Sequence, residues 1–164
     1  MKRKDLEKKL KKLGWTLSRH RRKMMRLAGR VFKSGKHWAI EVPILGLTTQ
    51  GHSKKDAFCM ISDALESLVN KNDFKVDVYP GKNSYFEISS KDVATLTAFL
   101  LRRQRLKHGL TLVEVTKRLG AKSHNTYARY EQGRSVPTIE KLTLLLSVLS
   151  ENNDFVLIES QMVG

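Results

Sequence analysis

Residues 110–137 read LTLVEVTKRLGAKSHNTYARYEQGRSVP, and the second half of this 164-residue chain turns on how that stretch folds. The Thr111 hydroxyl is placed to accept a hydrogen bond from an amide of the following turn. It therefore caps a helix that buries Leu112, Val115 and Leu119 and stops at Gly120, where glycine tolerates a left-handed helix end. Ser123 caps the next helix, with Tyr127 and Tyr130 pointing inward three residues apart and His124, Asn125, Ala128, Arg129 and Gln132 left outside. Residues 133–137 form a loop, and Thr138 caps a last helix with Ile139, Leu142, Leu145, Leu146 and Leu149 on one apolar stripe. Upstream, Ser89 caps a helix with Asp92 closing a capping box; Leu96, Phe99, Leu100 and Leu106 form its inner face, and it ends near His108 and Gly109. Residues 90–150 thus read as an all-α unit of four helices.

The middle two helices, separated by about four residues through Gly120, have the spacing of a helix-turn-helix pair. In such a pair the second helix enters the major groove of a DNA duplex with its first residues at base edges. Asparagine can make two hydrogen bonds to adenine there, and arginine two to guanine. Asn125 and Arg129 are expected to read bases, and Ser123, His124 and Thr126 to meet bases or phosphates. Lys122 and the helix amino terminus suit phosphate oxygens. Spacing alone also fits a plain four-helix bundle with a solvated polar face.

Charge points the same way. Lys and Arg number 31 against 16 Asp and Glu, a formal net charge of +15, and the excess lies in residues 1–36 and 92–150 on either side of a nearly neutral middle. Clustered cations favour polyanions through counterion release but carry no sequence specificity. No apolar run approaches the ~20 residues that cross a bilayer, and the start lacks the apolar stretch and cleavage site of an export signal, so a cytoplasmic, bacterial protein is expected. A single cysteine, Cys59, excludes an internal disulfide and reads as a half-buried small residue on a helix. No Cys/His grouping at ligand spacing occurs, so neither metal nor cofactor is implied; His37, His52 and His108 read as scattered surface groups. With no nucleophile, base and orienting group that can be assigned together, a binding protein rather than an enzyme is expected.

Residues 24–89 form a second unit, and from Met24 the pattern changes to a period of two. Leu27, Gly29 and Val31 oppose Arg26, Arg30 and Lys33, a turn falls at Ser34 and Gly35, and Trp38, Ile40 and Val42 then oppose His37, Ala39 and Glu41. Pro43 and Gly46 end that strand, residues 47–50 make a third, and Ser53 caps a helix with Asp56 at its third position and Ala57, Ile61, Ala64, Leu65 and Leu68 on one stripe. Residues 74–79 and 85–88 form a second hairpin through Pro80, Gly81, Lys82 and Asn83. The order specifies an α+β unit, a sheet covered by a helix. Ahead of it, residues 1–23 read as a short basic helix with Leu6, Leu10 and Leu13 on one stripe, then a strand start at Trp15. Residues 151–164 form a tail whose apolar Phe155, Val156, Leu157 and Ile158 are candidates for a strand.

The quoted stretch resembles the Xre/Cro-type helix-turn-helix, through Leu110-Thr111-Leu112, Val115, Leu119-Gly120 and Tyr130-Glu131-Gln132-Gly133-Arg134 with Pro137. In particular it is similar to the form found in HicB-type antitoxins, with a turn one residue longer than in common phage repressors. Trp38 to Ser53, followed by Asp56 and Ala57, resembles the HicB order of strand, Val-Pro, Gly, Thr-x-Gly and amphipathic helix. That resemblance implies a partial RNase H-like fold that neutralises a HicA-like toxin protein. It does not import nuclease chemistry, which needs several carboxylates converging on metal ions, whereas the first two strands offer only Glu41. Residues 4–19 resemble the opening helix and strand of HicA itself. The Gly-Ser-His motif expected next is replaced by Arg22-Lys23-Met24, and His20 lies four positions early, so a remnant without RNase activity is expected; an unrelated basic helix is the alternative.

The resemblance implies an antitoxin that represses its own operon, binding a duplex operator as a homodimer or higher homo-oligomer with half-sites about one helical turn apart. The alternatives are a stand-alone helix-turn-helix regulator, or an RNA-binding protein using its basic amino terminus.

Overall fold

The computed structural model describes residues 25–150 and 152–160; the basic helix, the strand start and the HicA-like segment read within residues 1–23 lie outside them. Three strands come first, β1 (Leu27–Ser34), β2 (His37–Val42) and β3 (Leu47–Gly51), then helix α1 (Lys54–Val69), then β4 (Asp77–Pro80) and β5 (Tyr85–Ser89). All pair antiparallel in the order β3-β2-β1-β5-β4. Pro43–Leu45 forms one 3-10 turn between β2 and β3, closed by Gly46 in the left-handed region. Four helices follow, α2 (Val93–Lys107), α3 (Leu112–Arg118), α4 (Asn125–Glu131) and α5 (Ile139–Leu149).

Alternation on β1 buries Leu27, Gly29 and Val31 against α1, and Ile40, Val42, Phe86 and Ile88 complete that face. Two glycines allow close approach. A Cβ on Gly29 would fall 2.2 Å from the tip of the Phe86 ring, and one on Gly51 would fall 2.4 Å from the Ala57 amide nitrogen, where the first turn of α1 rests on β3. The Ser53 hydroxyl accepts from the Asp56 amide at 3.0 Å, and the Asp56 carboxylate in turn accepts from the His52 amide at 2.7 Å.

The helix ahead of the bundle starts differently from the sequence expectation. Ser89 ends β5, where its hydroxyl donates to the Tyr79 hydroxyl, and Asp92 is itself the cap of α2, accepting from the Thr95 amide at 3.0 Å. The β5 ladder holds Ser89, so the helix begins three residues later. Nor does α2 have one inner face. Leu96 through Leu101 are all buried: Leu96, Phe99 and Leu100 join the sheet core, while Leu101 joins Leu110, Val115, Tyr127, Leu145, Leu146 and Leu149 in the bundle core. Leu106, expected inside, is 49% exposed because that turn has passed beyond both cores. Near its end α2 grips the 3-10 turn. Arg103 donates to the Leu45 and Gly46 carbonyls at 2.8 Å each, and the buried Gln104 amide donates to the Ile44 carbonyl.

Other inward assignments shift at element ends. Leu68, Leu112 and Ile139 are exposed, each in the first or last turn of its helix, where the covering layer runs out. Cys59 is exposed rather than half-buried. His108 is half-buried rather than on the surface. The tail forms no strand among the described residues. Phe155 packs on the bundle core, Val156, Leu157 and Ile158 lie open, and the Ser160 hydroxyl donates to the Glu87 carboxylate at 2.7 Å. Glu87 is buried beneath that contact. Burial alone would raise its pKa, but hydrogen bonds from Arg26, Ser160 and Tyr85 hold it below the usual carboxylate value. No described helix is long and apolar enough to cross a membrane.

Candidate nucleic-acid interface

Helix α3 starts with a reciprocal cap, the Thr111 hydroxyl accepting from the Glu114 amide at 3.2 Å while the Glu114 carboxylate accepts from the Thr111 amide at 2.7 Å. The Thr111 amide and, at 2.8 Å, the Thr111 hydroxyl both donate to the Glu114 carboxylate and hold it below its ordinary pKa. After α3 the chain reverses at Gly120, whose φ of +63° suits glycine, and the Ala121 amide bonds back to the Thr116 carbonyl at 3.2 Å.

Helix α4 has only seven residues, too short to persist alone, so its orientation must come from packing. Two inward groups supply it. Tyr127 is fully buried, its hydroxyl donating to the Leu101 carbonyl at 3.4 Å, and burial pushes the phenol pKa up. Glu131, one turn on, takes both prongs of the Arg105 guanidinium, Nε to Oε1 at 2.7 Å and Nη2 to Oε2 at 3.0 Å; the two side chains are 13% and 8% exposed. The third prong, Nη1, reaches the Leu110 carbonyl at 2.9 Å, so one arginine of α2 ties down both the start of α3 and the end of α4. That carboxylate raises the Arg105 pKa against the opposing effect of burial. Sequence reading had no role for this pair. The signal was Glu131 four residues after the inward Tyr127, because an inward carboxylate requires a partner.

With α4 clamped from inside, its outer face is left for other work. Lys122, Ser123, His124, Asn125, Thr126 and Arg129 are all exposed. Ser123, Asn125, Thr126 and Arg129 come together, with Tyr130 and Ser135, around one open concavity of about 350 Å³ between α4 and the loop that follows it. Lys122 and His124 stand outside that lining. Within the described residues the Asn125 amide and the Arg129 guanidinium form no side-chain hydrogen bond or ion pair, so their donors and acceptors are uncommitted. One local expectation is corrected. Ser123 does not cap α4 at its third amide: His124 is the first flanking residue and is already helical at φ −59° and ψ −28°, and the Ser123 hydroxyl accepts instead from the Asn125 amide at 3.3 Å. Entering the helix one residue late puts the serine out of reach of the later amide.

A face of this composition, carrying a guanidinium, a carboxamide and two hydroxyls on a fixed helix, is matched to groups that present fixed donors and acceptors, as base edges and phosphates do. The helix-turn-helix family model matches residues 101–151, from within α2 to just beyond α5, so this part of the chain is a helix-turn-helix domain of the Xre/Cro-like kind. No curated protein matches the chain.

Proposed function

We propose that this protein is a DNA-binding transcription regulator, a binding protein rather than an enzyme, whose α4 enters the major groove of an operator. Asn125 and Arg129 read base edges, Ser123 and Thr126 meet bases or sugar-phosphate, and Lys122 and His124 flank the contact at its start. The observation that carries the reading is the uncommitted pair Asn125 and Arg129 lining one open concavity on a helix that Tyr127 and Glu131 hold from behind. The helix-turn-helix match supports it. The protein acts as a homodimer on half-sites about one helical turn apart.

In vitro selection from a random duplex library tests this. The wild-type chain should enrich a defined site, and Asn125→Ala and Arg129→Ala should each weaken binding to it by about 1 to 3 kcal/mol while relaxing preference at one base position. Enrichment that neither substitution alters would overturn the reading.

The narrower reading, an antitoxin that also neutralises a HicA-like toxin, rests on the resemblance of the segment from Trp38 to Ala57. Its support is the succession of β2, the Val42-Pro43 turn, Gly46, β3 and α1, which follows the order that resemblance implies. Rescue of growth on co-expression with a HicA-like ribonuclease would sustain it, and growth arrest despite co-expression would remove it.

A further inference from the structure

Charge along the middle of the chain is nearly balanced, but the topology sorts it in space. Ser34 lies opposite His37 across the β1–β2 turn, and Trp38 lies opposite Gly51, so the β3–α1 junction reaches the same end of the sheet. There the His37 and His52 rings stand 5.3 Å apart. The β4–β5 turn arrives at that end as well: Arg30 is opposite Tyr85, the Val31 amide donates to the Ser84 carbonyl at 2.7 Å, and the Lys54 ammonium donates to the Asn83 carbonyl at 2.8 Å. Three connections thus gather Lys33, Lys36, Lys54, Lys55 and Lys82 with two histidines. The one carboxylate within them, Asp56, is taken up by the cap of α1. Lys33, Lys36 and Lys82 are exposed and have no acidic partner among the described residues.

Helix α1, with 16 residues, spans about 24 Å and separates this end from the Val69 end, where α2 begins to carry the helix-turn-helix bundle. At physiological salt the Debye length is about 8 Å, so the lysines repel one another yet contribute almost nothing to the potential at α4. They cannot serve by steering DNA toward the concavity. Lysines on three turns act as point charges that suit phosphates and ignore base identity.

We propose that this end of the sheet is a second, sequence-independent contact for the phosphate backbone of a nucleic acid duplex, on a stretch of backbone other than the one beneath α4. It does not depend on what α4 reads.

The test uses the full chain and a random-sequence duplex of about 20 base pairs, with affinity measured by fluorescence anisotropy between about 50 and 200 mM salt. Replacing Lys33, Lys36 and Lys82 together with Gln removes three phosphate contacts and should lower the slope of log affinity against log salt by about 2 to 3, with the thermal melt unchanged. Lys36→Gln alone should lower it by about 0.9, which keeps the measurement informative if the triple variant folds poorly. An unchanged slope in both overturns the proposal, as does weaker binding to polyglutamate with duplex affinity intact, which would assign the surface to an acidic protein. In the double variant Asn125→Ala, Arg129→Ala the slope on random duplex should persist. Site preference that survives in that variant sinks the reading of α4 and leaves the lysine contact standing.

Discussion

At the scale of single residues, the recognition surface depends on a pair that never touches it. Arg105 and Glu131 join through two parallel hydrogen bonds in a nearly closed pocket, where removing one partner leaves the other charged, desolvated and unmatched. Glu131→Gln keeps the shape and one acceptor but removes the charge, and should destabilise the chain by about 2 to 4 kcal/mol in urea unfolding. Arg105→Lys keeps the charge but cannot reproduce the fork and the third bond to the Leu110 carbonyl, and should lose about 1 to 2 kcal/mol. Losses under about 0.5 kcal/mol in both would mean that packing of Tyr127 alone orients α4. Tyr127 itself was legible as a core residue because it is apolar and at helical spacing; the glutamate beside it was not, since one-dimensional spacing does not name a partner 26 residues away on another helix.

At the scale of elements, helix starts show what local chemistry determines. Asp92 caps α2 while accepting from the Lys71 ammonium at 2.7 Å, and that bond, with those from Thr95, draws its pKa from 3.8 down to about 2. A carboxyl whose folded pKa lies below its unfolded one stabilises the fold above the unfolded value, and that contribution is lost as pH falls from about 4 toward 2. The Asp92 side chain is 34% exposed and Lys71 more so, so screening reduces the contribution to about 1 kcal/mol. Asp92→Asn keeps a capping acceptor but does not titrate. The stability gap between wild type and this variant should therefore close between pH 4 and pH 2, and a gap independent of pH would show that the cap alone matters. The caps at Ser53, Thr111 and Thr138 were legible because a hydroxyl three residues before an amide suffices for the bond. The caps misassigned at Ser89 and Ser123 failed for reasons outside local spacing: a strand ladder claimed the first, and α4 starts one residue later than the second requires, with His124 as its flanking residue. Helical period put Asn125 and Arg129 on the outer face of α4, but not the concavity that they line with Ser123, Thr126, Tyr130 and Ser135, which depends on how the chain enters and leaves that helix. The lysine end of the sheet was invisible, because its charges come from three separate turns.

At the scale of the whole molecule, α2 belongs to both halves of the chain. Reading its inner face as one stripe predicted a helix of the bundle alone, whereas six consecutive buried residues divide it between the sheet core and the bundle core, and Arg103 and Gln104 fasten it to the turn after β2. Two units built on a common helix should unfold as one, because the bundle cannot release α2 without exposing Leu96, Phe99 and Leu100 of the sheet core. Leu101→Ala removes a side chain that lies wholly in the bundle and should cost about 2 to 5 kcal/mol. If the coupling holds, native-state hydrogen exchange will show the same loss at the Ile40 amide in β2, to which Leu101 contributes no core contact, as at the Leu145 amide in α5. A loss confined to α5 and the other bundle helices would mean that the sheet retains α2 when the rest of the bundle opens, and that the two halves are thermodynamically separate despite the helix they share.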